Sequence, residues 1–205
     1  MRLVGEIDPA RPLLVLAVAE EAAHLGRELP VLLTGMGKVN ATAALATVLA
    51  RGPLPTGVVN LGTAGALRPG LAGTIHRIGR VLQHDLDTEV LRGLTGETVG
   101  APLDLDLDRG LGPGLPGDAG EGLVLATGDL FVAEEAARAR LAERAHLVDM
   151  EGYAVAAVAR AAGVPVRLVK YVSDEATEGA AATWRDSVDA CAKVLALWVR
   201  EHLGS

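Results

Sequence analysis

Residues 148–174 constrain the fold more than any other stretch of the chain. They open as Val148-Asp149-Met150-Glu151-Gly152-Tyr153 and continue as an Ala/Val-rich run to Ala162. They turn at Gly163-Val164-Pro165 and end in Val166-Arg167-Leu168-Val169-Lys170-Tyr171-Val172-Ser173-Asp174. The middle run has helical composition, and Gly163 followed by Pro165 is a stop signal. The β-branched apolar run after Pro165 reads as a buried strand. Strand, helix, strand in that order predicts a parallel pair joined by a crossover. Glu151 and Asp174 then lie just past the carboxyl ends of their strands, at the edge where open α/β sheets bind ligands. Two carboxylates there suit acid/base chemistry or the recognition of sugar hydroxyls. Each also has an ordinary reading: Glu151 as an acid favoured at a helix N-terminus, Asp174 as a loop aspartate.

The rest of the chain repeats the alternation. Residues 13–18 read as a buried strand, followed at once by Glu20 and Glu21 in a helix expected to reach about Glu28. Residues 30–34 read as a strand, and Gly35-Met36-Gly37-Lys38 as a tight turn into a helix over 39–51. Glycines there let backbone approach a ligand, and the helix start offers N–H donors. The turn lacks the full spacing of a nucleotide-triphosphate loop, which excludes that ligand. A strand over 57–61 runs into Asn60-Leu61-Gly62-Thr63-Ala64-Gly65-Ala66. Its small residues suit either close helix-on-sheet packing or a backbone platform beneath a flat ligand. We favour the platform, because two Gly-rich strand ends occur early in one chain.

A further strand is expected over 74–82, followed by His84-Asp85-Leu86-Asp87. From there to about Gly120 the chain turns rich in Gly, Pro and Asp and carries Asp104-Leu105-Asp106-Leu107-Asp108. Such an excursion reads as a lid or interface loop rather than a second domain. Residues 122–127 read as a strand leading into Thr127-Gly128-Asp129-Leu130-Phe131-Val132. Phe131, the single Phe of the chain, either fills core volume or stacks on a planar base. Helices are expected over 133–144 and 181–203, the last packed down by Trp184 and Trp198. The order predicts an α/β fold: one domain over 1–205, with a central mixed, mostly parallel β-sheet flanked by helices in three layers.

Composition narrows the function. Apolar residues make up 50% of the chain and aromatics 2%, so the core is built from Ala, Val and Leu. A net charge of −7 opposes a nucleic-acid surface but not an uncharged nucleoside. Cys191 is the one cysteine; a packed thiol and a reducing cytoplasm fit it. The apolar run 13–19 is too short, and too closely flanked by Glu6, Asp8, Glu20 and Glu21, for a signal peptide, and no run is long enough to span a membrane. No metal-ligand cluster and no cofactor motif occur, so neither is expected.

Five motifs in this order resemble the nucleoside phosphorylase/nucleosidase superfamily, most closely its 5′-methylthioadenosine/S-adenosylhomocysteine nucleosidase branch. They are Glu20-Glu21, Gly35-Met36-Gly37-Lys38-Val39, Asn60-Leu61-Gly62-Thr63-Ala64-Gly65, Thr127-Gly128-Asp129-Leu130-Phe131, and Asp149-Met150-Glu151 with Ser173-Asp174. The resemblance covers most of the chain. It implies a purine-nucleoside hydrolase in which Glu21 activates water and Asp174, held by Ser173, protonates the leaving base. To act as an acid Asp174 must carry a proton, which calls for burial or a neighbouring carboxylate. The resemblance further implies that Glu151 accepts from ribose hydroxyls with Met150 against the sugar. Phe131 stacks on the base, and the Val132 main chain reads the base edge. Thr63, Ala64 and Gly65 line the floor. Asp149, where the family usually has Glu, belongs to the same substrate-binding set. Asn60-Leu61 stands where phosphorylases carry a phosphate-holding Arg, so water is favoured over phosphate. Futalosine hydrolase, purine nucleoside phosphorylase and a non-catalytic nucleoside-binding protein are the alternatives. Assembly as a homodimer or higher homo-oligomer is also implied.

Overall fold

The computed structural model describes residues 1–105, 122–176 and 180–204. Its strands are β1 (Arg2–Val4), β2 (Leu13–Leu16), β3 (Val31–Leu33), β4 (Val58–Ala66), β5 (Ile75–Gln83), β6 (Leu103–Asp104), β7 (Leu123–Thr127), β8 (Leu147–Asp149) and β9 (Val166–Asp174). Its helices are α1 (Lys38–Arg51), α2 (Thr88–Thr95), α3 (Glu135–Ala142), α4 (Gly152–Ala161) and α5 (Ala180–Leu203). The nine strands form one mixed sheet in the order β1-β3-β2-β4-β8-β7-β5-β6, with β9 pairing both β4 and β5.

Both faces of the sheet are covered, which is why its central strands are apolar without alternation. All four residues of β2 are buried. Leu13 and Val15 face α1 and α4, meeting Ala41, Leu45, Val155 and Ala159. Leu14 and Leu16 face α5, meeting Leu195, Trp198 and Val199. Small alanines on α1 and α4 let these helices lie close, and Leu and Val supply the volume that aromatics would otherwise fill. The mixed three-layer fold is therefore the expected one.

Three details differ from the sequence reading. First, β8 and β9 are not a parallel pair. β4 runs parallel to β9 over 58–65 but antiparallel to β8, which it meets only at Gly65–Val148 and Ala66–Leu147. β9 pairs β5 antiparallel, β5 pairs β7 parallel, and β7 pairs β8 parallel. The pairing thus closes on itself through β4, β9, β5, β7 and β8. The carboxyl ends of β4, β8 and β9 converge on one point, although β8 points against the other two. Second, no helix follows β2; residues 19–24 form successive turns. Tertiary contact overrides helix propensity here, because Glu21 turns inward to bond Thr63. Third, β1, in a lead-in that shows little pattern, pairs β3 antiparallel.

The small residues at the end of β4 have a steric cause. A Cβ on Gly65 would come within 3.1 Å of Ala176 Cβ, 3.2 Å of Asp174 Oδ1 and 3.3 Å of Val148 Cγ1. Glycine is what lets three strand ends meet there. The expected excursion after β5 contains α2 and β6. Asp106, Leu107 and Asp108 of its acidic alternation lie outside the described residues, as do residues 177–179 of the loop after β9. No helix among the described residues is long and apolar enough to cross a membrane.

Candidate active site

A cleft of about 120 Å3 opens where these strand ends converge. Every site residue named from sequence lines it: Glu21, Thr63, Ala64, Gly65, Phe131, Val132, Asp149, Met150, Glu151, Ser173 and Asp174. Ala17, Val18, Met36, Leu130, Val148 and Trp184 complete the wall.

Glu21 lies buried beneath the end of β4. Its Oε1 accepts from Thr63 N at 2.8 Å and from Thr63 Oγ1 at 2.9 Å. Its Oε2, equally buried, has no hydrogen-bond partner among the described residues. One oxygen is thus held by two donors while the other keeps its lone pairs free to accept a proton. An unpaired buried carboxylate oxygen is costly unless a ligand or water uses it.

Asp174 ends β9. Ser173 Oγ donates to its Oδ2 at 2.7 Å and Ala176 N donates to its Oδ1 at 2.8 Å. Its bonded partners are a hydroxyl and an amide. These two bonds fix the carboxyl plane at the cleft wall.

Glu151 sits between β8 and α4, and Gly37 N donates to its Oε1 at 2.7 Å. Burial pushes its pKa from the ordinary 4.5 up to about 7, with help from the charge of Asp149 and less from Glu21, against Lys170 and the Gly37 N–H. Between about pH 4.5 and 7 the folded chain keeps a proton that the unfolded chain has released. Stability therefore falls as pH rises through that window. Urea unfolding of wild type against Glu151→Gln, which has no such proton, tests this. The wild type loses up to about 3 kcal/mol relative to the variant between pH 4.5 and 8. A difference that does not change with pH would refute it.

Asp149 stands in the cleft wall with both oxygens engaged by the protein. Thr127 Oγ1 donates to Oδ1 at 2.6 Å and Gly152 N donates to Oδ2 at 2.8 Å. Lys170 Nζ lies 2.9 Å from Oδ2, and both side chains of the ion pair are almost fully buried. Burial opposes the ammonium charge of Lys170, but Asp149 and Glu151 outweigh it and raise its pKa. The sequence reading passed over Lys170. Its signal was a cation in an otherwise apolar strand, which demands a buried acid nearby.

The Gly35–Lys38 turn corrects another expectation. Its amides do not face an open ligand site, because two carboxylates of the protein take them. Gly37 N donates to Glu151, and Lys38 N donates to Asp129 Oδ1 at 2.8 Å. Gly37 has φ 91°, and a Cβ there would lie 2.9 Å from Asp129 Oδ1. The Lys38 ammonium bonds Gln83 and Asp85, and Asp129 N donates to Asp85 Oδ2. Partial burial works to raise the Asp85 pKa, but the Lys38 ammonium and the Asp129 N–H hold it below the ordinary value. This network ties the turn to the 127–132 loop. That loop carries Phe131, which is 52% exposed and so stands at the cleft lip rather than in the core. Trp198 is buried in the core, whereas Trp184 lines the cleft. No spacing signal in the sequence marks Trp184 as part of the site.

Residues 21–201 match the model of the family described as "Phosphorylase superfamily". The chain belongs to that superfamily. Among its relatives, an aminodeoxyfutalosine nucleosidase of Campylobacter jejuni is 30% identical over 192 residues, covering 87% of this chain and 81% of the relative. A 5′-methylthioadenosine/S-adenosylhomocysteine nucleosidase of a Marinomonas species is 29% identical over 191 residues, with the same coverage. The fold matches a solved futalosine hydrolase mutant of Helicobacter pylori with a TM-score of 0.76 at 21% identity, covering 93% of this chain and 97% of that one. A 5′-methylthioadenosine/S-adenosylhomocysteine nucleosidase from the same species, complexed with a substituted pyrrolidinol, also gives a TM-score of 0.76 at 21% identity, over 94% of this chain and 97% of that one. By name these proteins are nucleosidases or a hydrolase.

Proposed function

We propose that this superfamily member is a nucleosidase that hydrolyses the N-glycosidic bond of a purine nucleoside. The observation that carries the reading is the meeting of Glu21, Glu151 and Asp174, distant along the chain, in one cleft beside Phe131. Cleavage of such a bond builds positive charge on the ribose and negative charge on the departing base. Asp174 relieves the second by protonating N7, and Ser173 orients it. Carboxylates facing the sugar stabilise the first. Glu21 takes a proton from the attacking water through Oε2, the oxygen with no partner among the described residues. Water attacks the face opposite the base, as in inverting glycoside hydrolysis. Glu151 accepts from the ribose hydroxyls, and Met150 packs on the sugar. Asp149, committed to Lys170, Thr127 and Gly152, acts on the sugar only through Glu151. Phe131 covers the base, the Val132 main chain reads its edge, and Thr63, Ala64 and Gly65 form the floor.

Water is favoured over phosphate as nucleophile by charge. The α1 N-terminus, a natural phosphate site, is already bonded by Glu151 and Asp129, and Glu21 in the cleft would repel an anion. The C5′ group follows the relatives: 5′-methylthioadenosine or S-adenosylhomocysteine first, an aminodeoxyfutalosine or futalosine type second. Assembly as a homodimer or larger homo-oligomer is part of the same proposal, and light scattering measures it.

The deciding experiment incubates the protein with a panel of C5′-substituted purine nucleosides, with and without phosphate. Free base and free sugar at equal rates in both conditions are expected. Phosphate-dependent release of sugar 1-phosphate would make it a phosphorylase. Unaltered nucleoside that raises the melting temperature would make it a binding protein.

A further inference from the structure

We infer that Trp184 is a positioning residue for the general base, acting through the Thr63 hydroxyl. This rests on the nucleosidase reading above and assigns a task that the family resemblance does not supply. Trp184 sits near the start of α5, and its Nε1 lies 2.8 Å from Thr63 Oγ1. Thr63 Oγ1 in turn lies 2.9 Å from Glu21 Oε1. An indole N–H can only donate, and a hydroxyl has one proton to give. Thr63 Oγ1 must therefore accept from Trp184, and its own proton is directed onto Glu21.

The direction of this chain matters for the reaction. With the Thr63 amide also donating at 2.8 Å, Oε1 carries two hydrogen bonds and is a poor base. Oε2, buried and without a partner among the described residues, is left as the more basic oxygen of the carboxylate. Without the indole N–H, the Thr63 hydroxyl is free to rotate and donate elsewhere. Oε1 then keeps only the Thr63 amide, and the bias toward Oε2 as the base is weakened. The geometry is braced a turn further along the same segments, where His24 Nε2 and Asp189 Oδ1 lie 2.6 Å apart. The turn bearing Glu21 and the helix bearing Trp184 are thereby joined at two points.

Trp184 also lines the cleft, so its relay role has to be separated from contact with substrate. Steady-state kinetics of the full chain on a cleaved nucleoside does this. Trp184→Phe keeps a ring and loses the donor. Its kcat falls about tenfold, the size of one hydrogen bond, and its KM stays within about twofold of wild type. Thr63→Val lowers kcat by at least as much, and Thr63→Ser restores it. In the Thr63→Val background, Trp184→Phe has no further effect on kcat, because the intermediary is gone. An unchanged kcat in Trp184→Phe would overturn the inference, as would the same tenfold loss in both backgrounds or a raised KM with kcat intact. Melting temperatures of the four variants establish that each is folded. Should Trp184→Phe not fold, the Thr63→Val and Thr63→Ser pair still decides, since equal rates in the two would overturn the relay. A wild type that cleaves no nucleoside would instead sink the nucleosidase reading itself.

Discussion

Asp174→Asn lowers kcat by about 1,000-fold, the scale of a general acid's contribution, while the protein stays folded. Asn matches Asp in size and keeps an oxygen to accept from Ala176 N. Its amide can donate to Ser173 Oγ, whose proton then turns to Ala64 O, 3.4 Å away in the native arrangement. The local hydrogen bonds survive in altered form, and what is lost under the proposed mechanism is the proton for N7. Release of the base is therefore slowed while nucleoside affinity is retained. Turnover by the variant within tenfold of wild type would remove Asp174 from the mechanism. Loss of binding together with turnover would make it a binding group instead.

Lys170→Met carries the largest expected cost in stability. Lys170 is 1% exposed and pairs with an equally buried Asp149. Removing one partner of such a pair leaves an uncompensated charge and costs about 3–5 kcal/mol. The carboxyl groups of Glu151 and Glu21 are close enough to act on the same ammonium, so its loss is felt beyond Asp149. Urea unfolding at pH 7 measures the cost. The double variant Asp149→Asn with Lys170→Met removes both charges and is expected to regain part of it. A Lys170→Met protein as stable as wild type would mean that the pair contributes nothing to holding β8 against β9.

Much of this site was legible because strand-end chemistry leaves a strong trace. Glu21, Glu151 and Asp174 each follow an apolar run, and small residues accompany them. The trace is local, and each misreading concerned a partner far along the chain. Glu20 and Glu21 look like a helix start until Glu21 is seen to turn inward and bond Thr63. The amides of the Gly35–Lys38 turn look like a ligand site until Glu151 and Asp129 are seen to fill it. Residues 148–174 look like a parallel crossover because the strand–helix–strand pattern does not specify which strands pair. Curvature decides that, bringing β9 between β4 and β5 and leaving β8 to touch β4 only at its tip. Trp184 was hidden for another reason. A Trp in an amphipathic helix is as well suited to a core as to a cleft, and only the hydrogen bond to Thr63 separates the two.

The clasp on the first two amides of the Gly37–Lys38 segment has a consequence for how the molecule matures. Its acceptors come from positions 129 and 151, so an N-terminal fragment emerging alone has nothing to protect those protons from solvent. Slow deuterium uptake at Gly37 and Lys38 thus marks the moment when distant parts of the chain have docked.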